Sequence, residues 1–172
     1  MGSLTKTEFL DQPFNGYRVI CGAMIIGTAV TAVLFLFIFD WEKLNTSLDM
    51  LAMIGLIIGI TSCIVSFVVP GIINNAALKM TSRKLDDEGC KFDSETGLRK
   101  IFATRQSASI VRYAILEGAV FANVVFFYVT GSVFSLVTVA IGMLIMIAMF
   151  PRKDATLAWV ERAANDMIQG RV

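Results

Sequence analysis

The 172-residue chain contains no histidine. That absence removes the commonest general base, the Ser/His and Cys/His nucleophilic couples, and the usual nitrogen ligand for zinc or haem. Cysteine is scarce as well. Cys21, Cys63 and Cys90 form an odd set without a CxxC pair, and two of them lie inside apolar runs, so free thiols are expected. A Cys63 or Cys90 nucleophile would have no histidine partner, and no nucleophile, base and metal set for an enzyme emerges; no cofactor is expected. Charge of one sign is also missing. A net charge of +1 gives no support for a nucleic-acid binder, which would need a basic surplus on one face. Nothing in the first sixteen residues reads as a cleaved signal peptide: they are polar and mixed, and the apolar run that follows is too long for a signal core. Lys6 stands where a myristoylation pattern needs Ser or Thr. The acidic residues Asp86, Asp87, Glu88, Asp93 and Glu95 lack the alternating ligands and central glycine of an EF-hand and read as a solvated turn.

What the chain does have is apolar length. Hydrophobic residues make up 56% of it and the mean hydropathy is +0.70, well above a soluble domain's share. Four runs stand out, at about 17–39, 50–73, 110–129 and 133–150, each close to the ~20 residues a helix needs to cross ~30 Å of hydrocarbon. The expected fold is therefore all-α: a single membrane domain, 1–172, built as an integral membrane four-helix bundle.

Lysine and arginine give this bundle an orientation, because cationic loops resist translocation. The link between the second and third runs carries Lys79, Arg83, Lys84, Lys91, Arg99, Lys100 and Arg105, whereas the link between the first two has Lys43 alone. The terminal segments add Lys6, Arg18, Arg152, Lys153, Arg162 and Arg171. Both termini and the long link are expected in the cytoplasm, in a bacterium beneath the inner membrane. The long link reads as a cytoplasmic helical hairpin over 77–106, turning at DDEGCKFDSETG. Two flanking segments, 4–14 with a capping box at Thr5 to Glu8, and 154–169 after Pro151, read as interfacial helices; the second equally fits a tail packed on the hairpin.

Inside the apolar runs, Gly55-x-x-x-Gly59 with Ser62 and Ser66 is the small-residue pattern that lets helix backbones approach in lipid. Pro70 is expected to bend or interrupt the second run. The third run holds one costly residue, Glu117, bordered by a second small-residue stripe of Ala114, Gly118 and Ala122, with Tyr113 and Phe121 a turn either side. A charged carboxylate there must face protein or water. Three roles are open to it. It pairs with Arg112 or Arg18, or it is protonated and hydrogen-bonded across a helix pair, or it binds and releases a proton or sodium ion, with Asn123, Ser135 and Thr138 as polar lining.

The stretch Thr104-Arg105-Gln106, followed by Ala114-Ile115-Leu116-Glu117-Gly118-Ala119-Val120-Phe121-Ala122-Asn123-Val124-Val125, resembles the carboxylate-bearing hairpin helix of rotary ATP synthase proteolipid (c) subunits over residues 104–125. The resemblance implies that Glu117 matches the ion-binding carboxylate, and Arg105 and Gln106 the polar loop before it. The chain as a whole resembles small polytopic bacterial membrane proteins. Two functions follow as expectations. One is a non-catalytic protein that forms a homo-oligomer or joins a partner membrane protein; the other is a proton- or sodium-translocating subunit that uses Glu117.

Overall fold

A computed structural model describes residues 8–170 of the chain. It is 86% helical with no strand among the described residues, so the fold class is all-α. The helices are α1 (Asp11–Ile38), α2 (Met50–Asp87), α3 (Glu95–Thr130), α4 (Val133–Ala148) and α5 (Lys153–Ile168).

Each boundary has a local cause. Helix α1 follows a 3-10 turn at Glu8–Leu10 and runs without a break into the first apolar run, so no separate helix closes at residue 14. Pro13 is tolerated because it falls in the first helical turn, where its missing N–H had no partner to lose. The capping-box threonine, Thr5, lies outside the described residues. Asp49 starts α2 by accepting from the Ala52 N–H at 2.7 Å, the usual work of an N-cap carboxylate. At the far end the Gly89 N–H reaches Asp86 O at 3.0 Å and the Cys90 N–H reaches Leu85 O at 2.9 Å. With Gly89 at φ +63, this is a Schellman ending. Ser94 then caps α3 by accepting from the Gly97 N–H at 3.1 Å.

Helix α4 is shorter than the sequence suggests. It has 16 residues, or about 24 Å at ~1.5 Å each, and ends at Ala148 because Pro151 has no N–H to give and pushes Phe150 toward extended backbone. Three helices, α1, α2 and α3, are long and apolar enough to cross a membrane, and a fourth crossing exists only if α4 and α5 are counted together as one bent span.

The chain divides into two compact units. One comprises Val69–Ile110 with the two ends of the chain. Its core is made of Leu10, Phe14, Tyr17, Leu85, Ile101, Phe102 and Val160, with Tyr17 edge-on to Phe14 at 6.4 Å and to Phe102 at 6.3 Å. Glu88 and Lys100 form an ion pair across the hairpin, and Lys153 of α5 pairs with Asp11 at 2.7 Å. Helix α5 buries Val160, Ala163, Ala164 and Met167 in this unit.

The other unit comprises Cys21–Val68 and Val111–Phe150. Ala32, Val120, Val124 and Val139 form its core, with Phe35 and Met143 packed against them. Its links are stitched together at one end: the Asn45 N–H donates to Gly131 O at 3.0 Å, the Val133 N–H donates to Asn45 O at 3.1 Å, and Asn45 Nδ2 donates to Thr130 O at 2.7 Å. The outward face of this unit is apolar, with Phe37 87% and Leu144 65% exposed.

Candidate functional site

Glu117 lies on α3 in the second of these units and is half-buried. Its carboxyl faces α1, where Thr28 Oγ1 lies 3.4 Å from Glu117 Oε1. Thr28 is fully buried, and its hydroxyl donates to Met24 O at 2.7 Å. A hydroxyl has one proton and two lone pairs. Of the two acceptors within its reach, Met24 O at 2.7 Å is the closer and Glu117 Oε1 at 3.4 Å the weaker.

Arg112, one of the two cations expected beside Glu117, reaches α2. Its Nε donates to Ser66 O on α2 at 2.9 Å, and its guanidinium lies 5.6 Å from the Phe67 ring centroid. The choice of Ser66 has a cause. Pro70 sits four residues on, inside a helix that continues through it, so the bond that a residue-70 N–H would give to Ser66 O cannot form. Arg112 supplies the missing donor, and the expected interruption at Pro70 does not occur. The sequence held both residues, but nothing in their separation along the chain announced the pairing.

The two small-residue stripes are used differently. Gly55 is buried, and a Cβ built on it would come within 2.6 Å of Asn123 Oδ1 and 3.0 Å of Phe126. A Cβ on Gly59 would collide with Thr138. The α2 stripe therefore receives α3 and α4 of the same chain, with Ser62 half-buried and Ser66 fully buried along it. On α3, by contrast, Ala114 and Gly118 are exposed and Ala122 is half-buried, and nothing lies within 4 Å of a Cβ on Gly118.

The polar residues suggested as a lining do not gather around Glu117. Asn123 is six residues further along α3, roughly 240° around the helix, and turns to Gly55; its Nδ2 donates to Ala119 O at 2.9 Å while its buried Oδ1 has no partner. Thr138 is bonded to Phe134 O at 2.9 Å within α4, and the Ser135 hydroxyl is buried without a partner. Arg105 belongs to the other unit, where its guanidinium lies 5.0 Å from the Trp159 ring centroid. Among the described residues no three Cys, Asp or Glu side chains come together as metal ligands would.

Comparison of the chain with protein-family models, with curated proteins and with solved structures finds no match.

Proposed function

We propose that this is a non-catalytic, multi-pass protein of the inner (cytoplasmic) membrane that works as a homo-oligomer or as an accessory subunit of a larger membrane complex. Membrane insertion is supported by three helices of sufficient length and apolarity and by large apolar side chains facing outward, which a water-facing surface would not carry in such number. The cation-rich hairpin and ends favour both termini in the cytoplasm, which needs an even number of crossings, and the fourth is α4 taken with α5 as one bent span.

The open face of α3 carries the self-association reading. Lipid gives no hydrophobic drive for helices to meet, so small residues serve close backbone approach. Gly55 and Gly59 serve it within the chain, whereas Ala114 is exposed and, among the described residues, nothing lies within 4 Å of a Cβ on Gly118, so this face can receive another helix. The decisive experiment is the mass of the purified protein in mild detergent. Parent protein should run as a defined oligomer and Gly118→Leu as a monomer with an unchanged melting temperature; a monomeric parent would remove the proposal.

A second reading, ion translocation, is favoured by one contact. The Thr28 hydroxyl oxygen 3.4 Å from Glu117 Oε1 places a second oxygen beside the carboxyl, and such a pair of oxygens suits a small cation or a transferred proton. Protein reconstituted in liposomes should then pass protons or sodium, and Glu117→Gln should abolish the flux without changing oligomer mass. No flux from the parent would leave Glu117 as a packing contact between α1 and α3.

A further inference from the structure

A polar cavity of about 510 Å³ opens between α2 and α5 in the unit that holds the hairpin and the chain ends. Its walls include Asn74, Asn75 and Lys79 from α2, and Trp159, Arg162 and Asp166 from α5. Asn74 is 8% exposed, and its amide oxygen is buried without a hydrogen-bond partner. Such an atom in a native protein calls for a donor that is not part of the chain. The charged groups around it are also unspent: among the described residues the ion pairs within 4.0 Å involve neither Lys79, Arg162 nor Asp166. Arg162 and Asp166 are one helical turn apart and would be expected to pair. Instead Arg162 Nε turns back to donate to Ala158 O at 3.1 Å, so the two charges stay separate on one wall.

The position of the cavity narrows its ligand. Asn74 to Lys79 follow directly on the apolar run of α2, and at ~1.5 Å per residue they lie within about 10 Å of its end. Trp159, with Arg105 stacked on its ring, is the side chain most at home where hydrocarbon meets water. This is the depth of lipid headgroups if the apolar runs span the bilayer, a condition shared with the proposed function, although self-association is not needed. A ligand here meets two cations, Lys79 and Arg162, a carboxylate, Asp166, and the unpartnered amide oxygen of Asn74. It therefore needs an anionic group and, a few bonds away, a group rich in N–H donors. We infer that the cavity binds the phosphoethanolamine headgroup of a membrane lipid, with the phosphate between Lys79 and Arg162 and the ammonium at Asp166 and the Asn74 amide oxygen.

Native mass spectrometry of the delipidated full chain, offered equal amounts of phosphatidylethanolamine, phosphatidylcholine and phosphatidylglycerol with matched tails, tests this. Phosphatidylcholine keeps both charges but has no N–H, and phosphatidylglycerol keeps only the phosphate. Phosphatidylethanolamine should be retained over both by roughly threefold or more, the scale of one exposed ion pair. Asp166→Asn should erase that preference while keeping phosphate-dependent binding, and the double variant Lys79→Gln, Arg162→Gln should lower retention of all three lipids. These side chains are exposed, so unchanged melting of the variants is expected and checks that the fold is intact. Equal retention of the three lipids by the parent, or an Asp166→Asn protein that still prefers phosphatidylethanolamine, overturns the assignment. Inorganic phosphate that displaces the lipid at comparable concentration also overturns it, in favour of a soluble anion.

Discussion

Ser66, Pro70 and Arg112 show how much of a helix depends on single atoms. A carbonyl stripped of its donor by proline costs about 1–3 kcal/mol if it is left buried and unpaired, and Arg112 Nε reaches Ser66 O at 2.9 Å. Arg112→Leu should therefore lower stability in detergent by about that amount. Pro70→Ala restores the N–H that Ser66 O lacks, so in the Pro70→Ala background the same arginine change should cost less, with a coupling of about 1–2 kcal/mol. A double-mutant cycle read by thermal melting measures this coupling and separates it from whatever else Arg112 contacts. Additive penalties would show that the arginine does not stand in for the proline's missing donor. At this scale the costly residues were legible from sequence: Glu117 and Pro70 are visible as exceptions in apolar runs. Their partners, Thr28 and Arg112, were not, because a hydrogen bond between helices leaves no periodic trace in either one.

Among the elements, the turn between α3 and α4 combines a legible feature with a hidden one. Thr130-Gly131-Ser132 is readable as a tight link because glycine is flanked by short polar residues between apolar runs. Its pairing with Asn45, far away in sequence, is invisible until the helices are assembled, since it consists of backbone bonds that any residue types could make. Gly131 is fixed twice, by a φ of +68 and by Lys43 O, into which a Cβ would drive. Gly131→Ala should thus lose about 1 kcal/mol for the left-handed backbone and more for the collision. Gly16→Ala, where nothing lies within 4 Å of a Cβ, should be neutral or slightly stabilising because alanine is the better helix former. A Gly131→Ala protein that melts at the parent temperature would show that the two links are not held together as described. Helix α4 carries the same lesson in reverse: its apolar run was legible to Phe150, but the restraint that Pro151 places on the preceding residue closes the helix at Ala148.

Over the whole molecule, orientation is the property that charge controls most directly, and the three cysteines allow it to be read without adding a label. Cys21 is fully buried, Cys63 lies within the apolar part of α2, and Cys90 sits in the turn of the hairpin, two residues from Glu88. A membrane-impermeant maleimide should reach Cys90 alone. In the proposed orientation, with Lys79, Arg83, Lys84, Lys91, Arg99, Lys100 and Arg105 holding that hairpin on the cytoplasmic side, Cys90 should be protected in intact cells and labelled in inside-out vesicles. Asn45 is unsuited as the opposite marker, since its side chain stitches the two links. Glu42, exposed in the link that carries Lys43 alone, serves instead: Glu42→Cys in a Cys90→Ser background should label from outside and not from within. Labelling of Cys90 in intact cells would invert the protein. The polar cavity between α2 and α5 and both chain ends would then face the other leaflet, whereas the contact between Glu117 and Thr28 would be unaffected, because nothing in it depends on which side is in.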